Sequence, residues 1–459
     1  MAEQFTEQGG AATMDPGPLK RWVTSTLMSR LFSPGQVDRR RARAEKKRRA
    51  QGAPHRIEYF HQVDDGYSHL VAQVLPQLVA RYAVELQCHL VSGPQGRNVA
   101  EPALLLQLSR YDAFQVAPEY NLEFPRQSGP PAPANVQQAA AILAAQDTAG
   151  FIALAADVGR ALWSEDAGAL ASLAAAHGSA SGQGTAAAIA AGSERRAHLK
   201  HYSGAMLYYG GEWYWGVDRL YHLERRLAAL GLDRQPGEPM IVPRPGIETG
   251  GLRDTGTLTL ELYASLRSPY TAIVFDRAVQ LARDTGVRLA VRPVLPMVMR
   301  GVPATREKGF YIFMDAAREA REAGVPYGRF YDPIGEPARR CYSLYPWAVA
   351  QGKGNELLSS FLTHAFAMGT NTNSDRGLRK VVESAGLDWQ AAAVHLGQPG
   401  WEQLLEDNRL AMYQAGLWGV PSFRLLDESG AQLLALWGQD RLWLIARAIR
   451  RQLRLREAG

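Results

Sequence analysis

The sequence predicts an α/β protein in which two similar domains follow one another along the chain. The first observation is a repeated segment: residues 437–442 read WGQDRL and residues 215–220 read WGVDRL, so five of the six residues agree. The copies begin 222 residues apart, and a Leu- and Arg-rich run of helical character follows each of them. A period of about half the chain indicates a duplicated domain rather than a short-repeat solenoid. The second observation is that both halves show the same order of strand-like and helix-like segments.

The composition limits the class of protein. The chain has 459 residues, 46% hydrophobic and 21% charged, which is ordinary for a soluble globular protein of two or three domains. It contains neither a run of 18 apolar residues nor a secretory signal. Its two cysteines, Cys88 and Cys341, form no CxxC pair, which argues against a disulfide framework, a cysteine zinc site and a dithiol redox centre. The histidines show no ligand spacing, so no metal site is predicted, and a cytoplasmic location is expected.

A basic leader is predicted over residues 1–54. Residues 38–49 hold eight Lys or Arg and two acids, which accounts for the whole net charge of +6. One interpretation is a solvated arm, helical or disordered. The other joins this run to the apolar residues around Trp22 and Leu27 as an amphipathic helix. In that case an anionic membrane or a nucleic acid is expected to contact residues 39–49.

The earlier domain is predicted over residues 55–235, and its elements are justified in chain order. A strand-like run gives the first strand, and an apolar-periodic stretch gives the first helix. Gly210-Gly211 between two short strands is a strong tight-hairpin signal. The Gly/Ala/Ser-rich stretch 179–192 is expected to be a mobile loop or a weak helix. The predicted elements are strand 56–60, helix 74–82, strand 84–88, helix 139–145, strands 205–209 and 212–215, and a closing helix.

A Pro/Gly-rich linker over residues 236–255 separates this domain from the later one, predicted over residues 256–459. The same plan recurs there: strand 257–263, helix 279–284, strand 287–291, helix 357–368, strands 422–426 and 433–437, and a closing helix. The order strand, helix, strand, helical insertion, hairpin, helix is a thioredoxin-type arrangement. The predicted fold is therefore two tandem thioredoxin-like domains, each with an inserted helical subdomain.

Ser268-Pro269 stands where the first helix of the later domain begins. Capping alone explains both residues, because Ser accepts a backbone N–H at the N-cap and Pro lacks only a donor that would be unused. The same position is suited to chemistry, since a hydroxyl at a helix N-terminus can donate to a bound thiolate. Ser cannot itself supply that thiolate. A ligand would have to bring it.

Val420-Pro421 opens the closing hairpin of the later domain, and a cis bond is expected there. Such a bend would let Val420 offer its backbone N–H and C=O groups to a peptide-like ligand. Gln439 and Asp440 follow at the start of the last helix. Asp440 is explained either as a helix cap or as a partner for a ligand amino group.

These motifs resemble the DsbA-like family, in its 2-hydroxychromene-2-carboxylate isomerase and kappa-class glutathione transferase branch. The resemblance covers about 200 residues and rests on Tyr263, Ser268-Pro269-Tyr270, Arg292-Pro293-Val294-Leu295, Lys308, Asp315, Arg318, residues 416–423 and residues 437–442.

The resemblance implies a glutathione-dependent isomerase or transferase that acts on a small unsaturated or aromatic-derived substrate. Ser268 would hold the glutathione sulfur next to Pro269, Val420 with Pro421 would pair with the cysteinyl backbone, and Gln439 with Asp440 would grip the γ-glutamyl end. Lys308 would lie near the substrate or glutathione, with Arg292 as a second candidate cation for a substrate carboxylate.

The chain departs from the family pattern in two places. Ser265-Leu266-Arg267 replaces the usual Asp and aromatic residue, and the charge of Arg267 would either help a thiolate or block the pocket. The earlier half has 63–67 (VDDGY) and 203–205 (SGA) where Ser268-Pro269 and Val420-Pro421 would stand. It is therefore expected to be a structural partner that forms an internal pseudo-dimer with the later half.

Two alternatives to an isomerase or transferase stay open from the sequence. One is a non-catalytic DsbA-like protein for binding or assembly, and the other is a member of the DsbA oxidoreductase family that lacks CxxC.

Overall fold

The computed structural model describes residues 15–126, 129–302 and 305–457. It divides into two compact units. The earlier unit is residues 38–245, and the later unit joins the described residues before Asp38 to those from Gly246 onward. None of the described helices is long and apolar enough to cross a bilayer.

The predicted leader forms two helices. Helix α1 (Pro18–Leu31) belongs to the later unit, whereas most of α2 (Pro34–Ala50) belongs to the earlier one. The basic run is thus helical. The division falls at Val37, so the structure distributes the leader between the two units instead of keeping it apart.

The earlier unit contains one four-stranded sheet of order β2-β1-β3-β4. Strands β1 (Arg56–His61) and β2 (Glu85–Leu90) are parallel, while β3 (Met206–Tyr209) and β4 (Glu212–Trp215) complete it in antiparallel pairings. Gly210 and Gly211 turn the hairpin with φ of 52° and 87°, the left-handed backbone that a tight hairpin turn needs. The helices after α2 are α3 (Gly66–Ala72), α4 (Leu75–Arg81), α5 (Pro102–Val116), α6 (Pro133–Ala144), α7 (Thr148–Trp163), α8 (Ala167–His177), α9 (Gly182–His198) and α10 (Leu220–Ala229).

The later unit contains a sheet of the corresponding order, β6-β5-β7-β8. Its strands are β5 (Thr259–Ala264), β6 (Arg288–Pro293), β7 (Ser422–Leu426) and β8 (Gln432–Trp437), and β5 and β6 are the parallel pair. Besides α1, its helices are α11 (Pro269–Thr285), α12 (Arg306–Glu322), α13 (Glu336–Ala350), α14 (Gly354–Thr363), α15 (Asp375–Ser384), α16 (Trp389–Ala393), α17 (Trp401–Gln414) and α18 (Leu442–Glu457). A π-helical turn, His364–Met368, continues α14.

The central strand of each unit is buried on both faces, with a carboxylate at its third residue. In β5, Leu260 and Leu262 alternate with Glu261, and all three are at most 2% exposed. Glu58 occupies the same place in β1 and is also buried. Each carboxylate binds arginine, Glu58 to Arg195 at 2.6 Å and Glu261 to Arg292 at 2.5 Å. Burial of these charges is possible because they are paired.

The structure decides between the alternatives for one element and moves the start of another. Residues 179–192 were expected to be a mobile loop or a weak helix, and the helix α9 runs from Gly182 to His198. Its N-terminus is capped by Ser181, whose side chain accepts from the Gly184 amide. Helix α11 begins at Pro269, ten residues before the predicted 279. The Ser268-Pro269 capping signal marks the start of this helix more accurately than the apolar periodicity of residues 279–284.

Candidate functional site

Ser268 and Val420 lie next to each other although 152 residues separate them in the chain. Ser268 is the N-cap of α11, and its Oγ accepts from the Thr271 amide at 3.1 Å. The same hydroxyl donates to the Val420 carbonyl at 3.3 Å. Pro269 occupies the first helical position and is buried. The Val420–Pro421 peptide bond is cis.

The end of β8 joins this cluster through the backbone. The Gly438 amide donates to the Pro421 carbonyl at 2.9 Å. Gly438 has φ of 116°, and a Cβ there would lie 2.4 Å from Asp440 Oδ1. A side chain at residue 438 would therefore displace the Asp440 carboxylate. Asp440 is 13% exposed at its side chain and lies 3.8 Å from the Arg441 guanidinium.

The side chain of Gln439 is turned toward α12. Its side chain is buried, and its Nε2 donates to Glu319 Oε2 of α12 at 2.8 Å. Its Oε1 has no hydrogen-bond partner within the described residues. The amide group of Gln439 is thus engaged with α12, and Asp440 is the more accessible of the two predicted contacts.

Lys308 lies in the first turn of α12, the helix whose Glu319 binds Gln439. Its amide is capped by the Thr305 hydroxyl at 3.2 Å, in the first turn of α12. The side chain is half-buried, and burial lowers the pKa of its ammonium group. Later turns of α12 contact the start of α11, where Tyr270 donates to Asp315 at 2.8 Å. Lys308 therefore belongs to a helix that is fixed against the Ser268 end of α11.

The charge of Arg267, which the sequence left open, is balanced by Asp332. The guanidinium donates to both Asp332 carboxylate oxygens, at 2.9 and 3.2 Å. The backbone of Asp332 is held by α1: its amide donates to Ser25 Oγ at 3.0 Å, and its carbonyl accepts from Arg21 at 2.5 Å. Sequence reasoning missed this support. No local pattern marks Arg21, which lies 311 residues before Asp332, as a buried partner.

Arg292 is engaged within the sheet. Its Nε donates to Glu261 at 2.6 Å, and its Nη1 is 3.4 Å from the Asn408 side-chain oxygen. Tyr263 also donates to Glu261, at 2.9 Å, and burial raises the pKa of that phenol to about 12. The charge of Arg292, one of the two cations proposed for a substrate carboxylate, is therefore paired with a buried acid.

Neither cysteine is suited to act as a thiolate. Both are free, and burial raises the pKa of Cys88 to about 12 and that of Cys341 well above its usual range. A thiolate near Ser268 would therefore have to come from a ligand. Within the described residues, no group of three His, Cys, Asp or Glu side chains could hold a metal ion.

The earlier unit repeats the architecture of the site with other residues. Asp65 is the N-cap of α3 and accepts from the Ser68 amide at 3.0 Å, as Ser268 does for α11. The Ala205 carbonyl accepts from the Gly216 amide at 2.8 Å, as Pro421 does from Gly438. Burial raises the pKa of the Asp65 carboxyl to about 6. The equivalent position thus carries an acid where the later unit carries a hydroxyl.

One further contact recurs at the same spacing. Tyr67 donates to Asp112 at 2.8 Å, and Tyr270 donates to Asp315 at 2.8 Å, with 45 residues between the partners in both cases. Each tyrosine lies two residues after the N-cap of its helix. The two units therefore share their local geometry at this helix as well as their strand order.

Comparison with known proteins shows a match between the later unit and a protein family. Residues 259–450 match the family model of the DSBA-like thioredoxin domain, so the later unit carries such a domain. The 2-hydroxychromene-2-carboxylate isomerase of Sphingobium xenophagum is 26% identical over 198 residues, which is 40% of this chain and 95% of that relative. These matches cover the later half, and the duplication stays a prediction.

Solved structures give likenesses of lower similarity. A structure of 2-hydroxychromene-2-carboxylate isomerase has a TM-score of 0.37 and 20% identity, covering 44% of this chain and 98% of the other. The cytosolic disulfide reductase DsbM from Pseudomonas aeruginosa has a TM-score of 0.33 and 19% identity, covering 43% and 99%. A structure of DsbM with GSH has a TM-score of 0.31 and 16% identity, covering 44% and 100%. With TM-scores this low, these likenesses carry no argument, and the match of residues 259–450 to a DSBA-like thioredoxin domain rests on the sequence.

Proposed function

We propose that the later unit is a glutathione-dependent isomerase or transferase, similar in chemistry to 2-hydroxychromene-2-carboxylate isomerase. The observation that carries the proposal is the hydroxyl of Ser268, which bridges the first turn of α11 and the Val420 carbonyl. The sequence relationship to the isomerase, which extends over 95% of that relative, supports the same reaction class. The lack of a CxxC pair disfavours a dithiol oxidoreductase.

The residues around Ser268 fit a peptide-like thiol. A backbone N–H of the ligand would take the Val420 carbonyl as its acceptor, and the Ser268 hydroxyl would then be free to donate to the ligand sulfur. The N-terminus of α11 adds its partial positive charge at the same point. Asp440 would accept from the ligand amino group. Lys308 would neutralise a carboxylate on the second substrate, with its ammonium held half-buried at the start of α12.

Bound glutathione would supply the nucleophile for reversible addition to an unsaturated acid. The thiol S–H would add across the double bond to leave a single bond that can rotate, and elimination of the same thiol would restore the double bond in the other isomer. The contribution of this chain is to lower the pKa of the thiol and to orient both partners. Ser268 and the N-terminus of α11 would lower the pKa of the thiol, and Val420 and Asp440 would orient the ligand.

We also propose that the two units arose by duplication and that the earlier one has lost this site. The shared strand order and the Tyr67–Asp112 and Tyr270–Asp315 contacts support common ancestry. A carboxylate at Asp65 would repel a thiolate where Ser268 would attract it. The earlier unit would then act through its fold, without a thiol site of its own.

The test is glutathione binding to the full chain, with Ser268→Ala compared with Ser374→Ala. Ser374 is the N-cap of α15, where its hydroxyl accepts from Gly377 at 3.1 Å and donates to Asn371 at 3.0 Å. Both substitutions remove a cap, at a cost of about 1 kcal/mol in the free energy of unfolding. Only Ser268→Ala should weaken glutathione binding, by roughly tenfold for one lost hydrogen bond to a charged group.

Two results would contradict the proposal. If titration calorimetry detects no glutathione binding by the wild-type chain at millimolar concentration, the unit is a binding or assembly module without this cofactor. If Ser268→Ala and Ser374→Ala bind glutathione equally well, the ligand sulfur does not lie at Ser268.

A further inference from the structure

Helix α1 packs its polar side on the rest of the later unit, while apolar side chains such as Trp22 and Leu27 stay 59% and 54% exposed. Ser29, near the end of the helix, accepts from the Phe330 amide at 2.8 Å. The end of α1 is therefore fixed to the segment that follows α12.

An open cleft of about 700 Å³ lies where the end of α1 meets the rest of the later unit. Its other walls are the last turns of α12, residues 325–330 and the end of the π-helical turn. Small-molecule sites have volumes of roughly 300–1,000 Å³, so the cleft has the size of such a site. Ser268, Val420 and Asp440 are not among the described residues that line it, and α1 stands before the residues 259–450 that match the family model. The cleft is therefore a feature apart from the proposed thiol site.

Part of the wall of the cleft is aromatic and held in place by packing. Phe32, Tyr327 and Phe330 line the cleft, and the last two pack on Phe366 with ring centroids 5.9 and 5.4 Å apart. The Gly328 amide donates to the Phe366 carbonyl at 2.9 Å, which fixes this segment to the π-helical turn. Single π-helical turns are frequent at functional sites. The cleft thus offers aromatic surface against which a ring of a ligand can pack.

The charged side chains of the cleft are all cationic. Arg30, Arg321 and Arg329 line it, and all three are exposed. No Asp or Glu is among the described residues that line it. None of the three guanidinium groups has a hydrogen-bond or ion-pair partner in the part of the chain that the structure describes. A cleft that carries one sign of charge concentrates the potential and attracts ligands of the opposite sign.

Helix ends account for two of these arginines. Arg30 and Arg321 lie in the last turns of α1 and α12, where a cation interacts favourably with the C-terminal end of the helix. Arg329 lies outside the helices, next to Gly328, whose φ of 122° favours glycine. The helix ends therefore leave the third charge unexplained. Like charges around one cleft repel one another, and a bound anion relieves that repulsion.

We propose that this cleft binds a small organic anion in which an aromatic ring carries two or more negative charges. The ring would pack on the aromatic wall, and the arginines would bind the charged groups. A guanidinium presents a planar pair of donors that matches both phosphate and carboxylate, so either group would be recognised in the same way.

The test is titration calorimetry of the full chain with two aromatic anions, ADP and benzene-1,3,5-tricarboxylate. Pyrophosphate carries charge without a ring, and adenosine carries a ring without charge. At least one aromatic anion is expected to bind roughly tenfold more tightly than either of these, with affinity that falls as salt is added. Binding of ADP alone assigns phosphate to the arginines, and binding of the tricarboxylate alone assigns carboxylate.

Two variants place the anion in the cleft. Arg321→Gln and Arg329→Gln should each weaken its binding roughly tenfold, because each removes charge-assisted hydrogen bonds. The matched control is Arg376→Gln in α15, since Arg376 is also exposed, has no partner among the described residues and does not line the cleft. Arg376→Gln should leave the binding unchanged, as should Ser268→Ala.

Four outcomes would overturn the proposal. They are no binding of either aromatic anion at millimolar concentration, binding of pyrophosphate or adenosine as tight as that of the better aromatic anion, equal losses in Arg376→Gln and Arg329→Gln, and a loss in Ser268→Ala as large as that in Arg329→Gln. The last result would assign the anion to the Ser268 site, whereas the glutathione test at Ser268 stands or falls independently of the first three.

Discussion

The earlier unit should lose stability on mild acidification, because it buries three histidines in their neutral form. Burial lowers the pKa of His61 to about 3, that of His69 to about 4 and that of His201 to about 3. In the unfolded chain each titrates near 6.5. Below pH 6.5 these histidines bind protons in the unfolded state but stay neutral in the folded state. The stabilisation is therefore complete above pH 6.5 and declines as the pH falls.

The size of the effect follows from proton linkage. Between about pH 7.5 and about pH 5.5, each histidine lowers the free energy of unfolding by about 1.4 kcal/mol, or about 4 kcal/mol for the three. Asp65 acts in the opposite direction, because its folded-state pKa is raised to about 6 and the folded state binds that proton first. Over the same pH interval, Asp65 raises the free energy of unfolding by about 0.8 kcal/mol. Glu58, with its pKa lowered to about 2, contributes only below this window. The expected net loss is about 3 kcal/mol.

Hydrogen exchange of the full chain separates the two units and measures this loss. The most protected amides of β1 and β3, corrected for intrinsic exchange, report the free energy of opening of the earlier unit at each pH. His201→Gln should remove about 1.4 kcal/mol of the pH dependence. A free energy of opening that changes by less than about 1 kcal/mol between the two pH values would refute the assignment of neutral buried histidines.

Gly192→Ala should destabilise the earlier unit by at least about 2 kcal/mol in urea unfolding, since a Cβ there would lie 2.0 Å from the Leu90 carbonyl oxygen. Gly182→Ala in the same helix meets no atom within 4 Å and should be neutral or slightly stabilising; equal effects would contradict the packing. Asp332→Asn should tighten glutathione binding about threefold, because it leaves the charge of Arg267 unbalanced next to Ser268. Weaker binding, measured by titration calorimetry, would mean that the Asp332 carboxylate itself helps to hold the ligand.

The contact between Ser268 and Val420 could be anticipated because each residue carries a local signal. A Ser-Pro pair is a local signal for the start of a helix. The Gly-Val-Pro run was identified through the resemblance to thioredoxin-type proteins. The topology then brings the two together. The strand bounds were predictable within a few residues for the same reason, since alternation is a local property.

Other parts of the site depend on partners that no local pattern identifies. The orientation of Gln439 is set by Glu319, which lies 120 residues away, and the charge of Arg267 is balanced by Asp332, 65 residues away. The helix α9 was underestimated because Gly and Ala give little amphipathic pattern. Its Gly192 packs directly on the Leu90 carbonyl of β2, a tertiary contact that compensates for weak helical propensity.

The bonds from Arg21 to Asp332 make the later unit discontinuous in the chain, with the whole earlier unit inserted between α1 and the rest. On the ribosome, Arg21 of α1 emerges 311 residues before its partner Asp332. All residues of the earlier unit are synthesised in that interval, so it can complete its core while α1 still lacks its binding groups. The polar side of α1 is then exposed together with its apolar side. Chaperones would therefore meet this helix at the stage of synthesis when neither of its faces is covered.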